Sequence, residues 1–472
     1  MKPAAPRRLR KLSLILVALL ATPLLLHWGV VAAARLTPPD VTVPAGGVQR
    51  APDGLRRFGQ AYVKPRGKLL QVGLSGAPEQ IGFTHVRLLY DEMVENEGVL
   101  LGQFRDNLSF APFRWLLLDL AQLRFRDVDA GMSEARKREI AGGALAFDPD
   151  PYLDVFPTYQ RFVYLNALYD MALSFEHSPL IGCTSFVLGP KSTGGKTLLG
   201  RAFDMEVDIL DQRKAVFFVR EDGQIPFASV AWPGLVGVVS GLNLEGVAVV
   251  VHGARAGEPQ SQGEPVVHGL RRVLSTSRST DEAVAALKAS DPMVSHIVVV
   301  ADAQGERAVV ERIPGRAPYM YRLTEPSVVT NHLLGSGATD PKNQRVRDTT
   351  STLARERRGK QLLERLHGRA DVETTVRLLR DRRGLNDAPL PLGSRDAIDA
   401  LIATHGVVMD TTDRRIWVSE APHLLGRFVA FDLRRLLAED YDPAADLEAP
   451  PFVPEDPLLK SEEYQKLARP DR

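Results

Sequence analysis

The chain reads as an α+β protein: a mainly helical front, a change of period at Ile181, then a glycine-punctuated β region mixed with helices. Two packed antiparallel sheets with helices outside would bury such strands, although composition alone does not select that layout. In the front, from about Glu79 to Leu180, Phe113, Leu116, Leu117, Leu120 and Leu123 recur at helical spacing, as do Phe162, Leu165, Leu168, Tyr169 and Ala172.

The elements follow in order. Residues 1–36 stand apart as a signal anchor or signal peptide. Arg7, Arg8, Arg10 and Lys11 precede Leu12 to Ala34, 23 residues without formal charge, about the ~20 a spanning helix needs. The basic flank stays in the cytoplasm, which puts the body outside it, as a single-pass protein of the cell membrane. Ala32-Ala33-Ala34 keeps a second reading open, cleavage and release to the periplasm. Residues 37–68, rich in proline and glycine at Thr37 to Gly54, read as an extended linker. Leu69 to Leu74 is strand-like. Beyond Ile181, Cys183 to Leu188 is a strand, Gly189 to Lys196 a turn, and Thr197 to Met205 a second extended run. Strands are expected at Ala215–Val219, Ile225–Ala231, Leu235–Val239, Gly246–His252, His296–Ala301, Arg307–Arg312, Ser327–Thr330, Gly406–Asp410 and Arg415–Ser419. Helices are expected at Thr280–Ala289 and between about Thr349 and Arg380. Residues 441–472 read as an acidic, proline-rich surface tail.

A formal net charge of +1, from 59 basic and 58 acidic side chains, gives no electrostatic basis for binding nucleic acid. The segment Gly189 to Thr197 looks like a phosphate-binding loop, yet Pro190 stands where the motif needs glycine and lacks the N–H a phosphate cradle uses. No Gly-x-Ser-x-Gly elbow exists, since Ser240 and Ser336 both lack glycine two positions before. No His-Glu-x-x-His helix exists either, and neither metal nor cofactor is expected.

One cysteine, Cys183, occurs in 472 residues. In an exported protein a single cysteine is either reactive or a small buried hydrophobe. Arg201 follows it by eighteen residues and Asp204 by twenty-one. A hairpin would bring both beside it, where a guanidinium favours thiolate and a carboxylate can hold an amine. An ordinary salt bridge at a strand end is the plainer reading of that pair.

Gly182-Cys183-Thr184, Gly200-Arg201 and Asp204 resemble the processing site and second strand of the cysteine N-terminal-nucleophile (Ntn) hydrolases. The nearest resemblance is to the acyl-CoA:6-aminopenicillanic-acid acyltransferase (isopenicillin N acyltransferase) family, with bile salt hydrolases and acid-ceramidase-like amidases as cousins. It extends from about Leu69 to Leu433 through Leu74 to Pro78 with Ile81, Gly82 and His85, then Gly241 to Val247, Ala301-Asp302 with Gly305 and Glu311, Thr330-Asn331-His332, and His405 with Ile416-Trp417-Val418. The resemblance implies a four-layer αββα sandwich with a helical N-terminal portion and an N-terminal membrane segment. Residues 69–182 would be a pro-segment and 183–440 the catalytic region.

The same resemblance implies autocatalytic cleavage of Gly182–Cys183, after which the freed amine activates its own thiol. An acyl-cysteine then forms from a linear carbon–nitrogen bond and is resolved by water or an acceptor amine. Arg201 would tune the nucleophile, Asp204 would hold the new amine, Asn331 would orient the N-terminus, and Arg355 matches the family's late arginine. Where the family carries an oxyanion asparagine, this chain has Val250-Val251-His252-Gly253. His252 either donates there or is an ordinary strand histidine. The implied partners are a small acyl amide (an acyl-CoA or lipid amide among them), the cleaved N-terminal fragment, and a membrane through residues 12–34. A phospholipase B-like hydrolase and an inactive envelope binding protein are the alternatives.

Overall fold

A computed structural model describes residues 21–175, 182–205 and 208–467. Residues 12–20 of the expected span, 176–181 ahead of the expected processing site, and 468–472 of the expected tail lie outside them.

The described residues form two sheets. The larger contains β1 (Gln49–Arg50), β2 (Arg56–Phe58), β3 (Ala61–Arg66), β4 (Leu69–Gly76), β7 (Ala215–Glu221), β8 (Phe227–Ala231), β9 (Ser240–Asn243), β10 (Ala248–Gly253), β11 (His296–Ala301), β12 (Arg307–Arg312) and β13 (Tyr319–Arg322), in that spatial order. The smaller runs β14 (Ser327–Val329), β5 (Gly182–Leu188), β6 (Leu198–Asp204), β15 (Ala403–Asp410), β16 (Arg415–Ser419), β17 (Phe428–Asp432), β18 (Phe452–Val453). Among these strands only β4 and β7 pair in parallel.

Strand alternation builds the layers. On β10, Val249 and Val251 pack with Val267, Leu270 and Leu274 of the helix Val266–Thr276, on the outer face of the larger sheet. Val250, one residue out of phase, instead meets Val407 and Val418 of the smaller sheet. On the far side, Phe186, Ala202 and Val408 pack against Val376 and Leu379 of the helix Val372–Leu379. The order is helix, sheet, sheet, helix.

Three expectations need correction. Residues 37–68 are not simply a linker: β2 and β3 extend the larger sheet, and Val63 is fully buried. The run Leu235–Val239 is no strand, because it follows the turn Trp232-Pro233-Gly234 and its Val236 N–H donates to Asn166 Oδ1 at 2.8 Å. The segment from 441 is not a loose tail, since Lys64 Nζ donates to Pro443 O at 2.6 Å and β18 pairs with β17. Phe113, Leu116, Leu117, Leu120 and Leu123 lie on a helix as expected, Ala111–Arg124, and Phe113, Leu116, Leu120 and Leu123 face outward. Among the described residues no helix is long and apolar enough to cross a membrane. Residues 21–33 of the expected span are helical.

Candidate active site

β5 and β6 are joined through a short helix, Pro190–Thr193, and two glycines at positive φ, Gly194 at 72° and Gly195 at 107°. The phosphate-loop look-alike is therefore a hairpin connection, as its turn chemistry predicts. The antiparallel register sets Gly182 opposite Asp204, Cys183 opposite Phe203, and Ser185 opposite Arg201. Cys183, Ser185, Arg201 and Phe203 thus share the face turned toward the larger sheet.

On that face the guanidinium of Arg201, fully buried, reaches Cys183. Its Nη2 lies 3.5 Å from Sγ and donates to Val251 O at 2.6 Å. Nη1 donates to Ser240 Oγ at 2.6 Å and Val239 O at 3.2 Å. Three oxygen acceptors thus hold the cation against the sulfur, with Phe203's ring centroid 4.0 Å from Cζ. Burial pushes the Cys183 thiol up, and the Arg201 guanidinium opposes that rise.

The backbone of Cys183 is held as firmly as its side chain. Its N–H donates to Asn331 Oδ1 at 2.9 Å, while Asn331 Nδ2 donates to Gly253 O at 3.0 Å. Arg355 Nη2 donates to the same Asn331 oxygen at 2.9 Å, and its Nη1 bonds the Cys183 carbonyl and Thr184 Oγ1. Arg355 therefore separates from its arginine neighbours: Arg358 turns instead to Asp381 and Asp387.

Asp204 is buried over Gly182, where a Cβ at 182 would lie 3.3 Å from its Oδ2. Burial raises its carboxyl to about 7, against the pull of Arg355. His252 is buried with Nε2 2.7 Å from Ser185 Oγ, and its Nδ1 has no partner among the described residues. Burial, with Arg201 and Arg355 nearby, keeps that ring neutral.

The structure thus brings together Cys183, Arg201, Asp204, Asn331, His252 and Arg355. Ser240 and His405 were not expected as parts of the site. His405 Nε2 lies 3.0 Å from Ser240 Oγ and 3.3 Å from Arg201 Nη1, completing the arginine's surroundings. No local motif marks Ser240, and the resemblance named His405 without a role; they sit on different strands and meet only through the sandwich. Beside Phe203 an apolar cavity of about 300 Å³ opens, walled by Tyr169, Trp232, Leu100, Leu165 and Leu168. Asn96 stands in its wall, with both polar atoms of the side chain unpaired among the described residues.

An α+β sandwich with a buried cysteine, a guanidinium on its sulfur and an amide on its nitrogen defines the class. Residues 191–399 match the family model described as acyl-coenzyme A:6-aminopenicillanic acid acyl-transferase, a family of acyl-transferring enzymes. The resemblance drawn from the sequence holds over that span, which includes Arg201, Asp204, His252, Asn331 and Arg355 and begins after Cys183. A curated relative, an uncharacterized protein of Archaeoglobus fulgidus, is 25% identical over 268 residues, covering 51% of this chain. The match spans 44% of that relative's length.

Among solved structures, a Caenorhabditis elegans ortholog of N-acylethanolamine-hydrolyzing acid amidase is similar at TM-score 0.37 and 18% identity, over 49% of this chain and 93% of that one. A mutant of conjugated bile acid hydrolase from Clostridium perfringens has TM-score 0.38 and 12% identity, over 54% and 94%. Penicillin V acylase from Agrobacterium tumefaciens has TM-score 0.36 and 16% identity, over 51% and 83%.

Proposed function

We propose that the protein is a self-processing cysteine hydrolase or acyltransferase acting on a linear amide of a small acyl substrate. One observation carries this reading: the nitrogen and the sulfur of Cys183 are each engaged by a separate polar group, Asn331 at 2.9 Å and Arg201 at 3.5 Å. A cysteine serving only as packing would need no guanidinium at its sulfur, whereas its buried N–H needs an acceptor in any case.

In processing, Cys183 Sγ adds to the Gly182 carbonyl carbon. The peptide C–N bond breaks and its nitrogen takes a proton, leaving a thioester that water hydrolyses. The products are a Gly182 carboxylate and an N-terminal Cys183. In turnover the new amine accepts the thiol proton and the sulfur attacks the substrate carbonyl. The proton passes to the departing amine, and water or an acceptor amine releases the acyl group. Arg201 stabilises thiolate, Asn331 orients the amine, and Asp204 stands where the ammonium form would pair with it. His252 stands in for the oxyanion donor, a contact worth roughly 10²–10³ in turnover in other hydrolases. Residues 12–34 tether the body to the membrane with its mass outside the cytoplasm, or are removed as a signal.

Intact mass with N-terminal sequencing tests this reading. Two fragments are expected, the larger starting at Cys183, and one uncut chain for Cys183→Ala. An uncut parent chain would overturn the proposal.

A further inference from the structure

The helix Ala111–Arg124 is built inside out. Its Gln122 is buried and its Asp119 turns inward, while Phe113, Leu116, Leu120 and Leu123 stand outward, Leu116 and Leu120 each about half exposed (52% and 53%). Spacing at i, i+3, i+7 and i+10 is what a core-facing stripe shows, yet among the described residues nothing covers it. A contiguous apolar patch on a soluble surface marks an interaction site.

Its neighbour indicates what covers it. The helix of residues 21–33 lies against this one: His27 Nδ1 is 2.9 Å from Asp119 Oδ1, and the His27 and Trp115 rings stack at 6.0 Å. Leu24, Leu25, Leu26 and Trp28 of that helix are also exposed, and it continues the uncharged run that starts at Leu12. Two apolar faces fixed to each other, one of them the end of a membrane-length segment, meet the same medium. Between the two helices lies a groove of about 940 Å³. Leu100, Leu165 and Leu168, with Glu97, wall both this groove and the cavity beside Phe203, so the two spaces adjoin, the second next to the strand partner of Cys183.

We propose that the helix Ala111–Arg124 lies in the surface of a lipid bilayer, bedding Phe113, Leu116, Leu120 and Leu123 among the acyl chains, and that an amide with a long acyl chain passes from the bilayer through this groove to Cys183. The surface contact stands by itself; the loading step rests on the reading of Cys183 as nucleophile. An apolar face flanked by polar ends binds such a surface through buried area rather than net charge.

The test uses the full chain in phosphatidylcholine vesicles, with or without brominated acyl chains as fluorescence quenchers. Trp28→Phe removes the tryptophan nearest the tether. Its emission is expected to fall by at least a third in brominated vesicles, and the loss is expected to vanish in Trp28→Phe/Trp115→Phe. Equal quenching of the two variants overturns the surface contact. The exposed variant Phe113→Glu/Leu116→Glu/Leu120→Glu is expected to slow turnover of a vesicle-borne long-chain acyl amide at least tenfold, with a short soluble amide unchanged. Loss of both, or of neither, overturns the loading role. A parent chain that sediments as a dimer in detergent, and becomes a monomer in the triple variant, assigns the stripe to a second copy and overturns the proposal. A chain inactive on every amide removes the nucleophile reading while leaving the quenching result to decide the contact.

Discussion

Asn331 is the pivot of the site at the scale of single residues. Its carbonyl oxygen accepts from the Cys183 N–H and from Arg355, and its amide nitrogen donates to Gly253 O. Asn331→Ala strands two buried donors, at about 1–3 kcal/mol for each unsatisfied group. Self-cleavage is expected to fall by at least a hundredfold, read as the fraction cut over time, with a lowered urea midpoint. Asn331→Asp restores the acceptor but not the donor, and is expected to process faster than the alanine variant. Asn96 presents the opposite case, a buried amide already unpaired among the described residues. Asn96→Leu is expected to raise stability by about 1 kcal/mol, since removing an unsatisfied polar group relieves its desolvation cost. Cys183, Arg201 and Asp204 were legible because a hairpin converts a sequence interval into a contact. Asn331 and Arg355 were reachable only through family resemblance, which also named His405 but gave it no role, and Ser240 by neither route, because long-range packing alone brings it to Arg201.

At the scale of elements, strands with clean bounding turns were read closely: β11, β12 and β16 fall on the expected residues. The misreadings share a cause. β2 and β3 are short and carry Pro65, so local pattern spoke for a linker, while their place in the sheet comes from pairing with β4. The outward stripe of Ala111–Arg124 has the period of a core helix, and no sequence pattern says which medium that face meets. One joint between elements makes a pH prediction. Both carboxyl oxygens of Asp170, in the helix Leu168–Leu173, accept from the Val266 N–H at 3.1–3.2 Å, at the start of the helix Val266–Thr276. Burial raises this carboxyl to about 8. The unfolded chain then loses its proton near pH 4 and the folded one only near 8, so folding is progressively penalised as pH rises through that window. The slope is at most about 1.4 kcal/mol per pH unit. Asp170→Asn keeps an acceptor without the charge, so its stability advantage over the parent is expected to grow from pH 4 to pH 8 in urea titrations. A constant difference would refute this.

Over the whole molecule, buried histidines and buried carboxyls pull stability in opposite directions as pH changes. His85, His252, His268, His296 and His405 are all buried, and burial holds each in its neutral form, with His85, His268 and His296 near 3. Their folded values lie below the unfolded value near 6.5, so the stability they confer is present above pH 6.5 and is lost as pH falls toward 3. Asp170, Asp204 and Glu97 have raised carboxyls, at about 8, 7 and 7, and work in the other direction, favouring the fold as pH falls toward 4. Between pH 6 and 4.5, unfolding therefore takes up protons at the histidines and releases them at the carboxyls, Asp399 and Glu311 among them. Above pH 6.5 only the carboxyl contribution remains, and stability declines toward pH 8. The uncut variant Cys183→Ala is expected to show a urea midpoint that falls from pH 6.5 to pH 8. His268 isolates one proton of this balance, because neither ring nitrogen has a partner among the described residues. His268→Leu is expected to change the slope of stability between pH 6 and 4.5 by one proton's worth while leaving the decline above pH 6.5 in place; a slope there equal to the parent's would remove His268 from the balance.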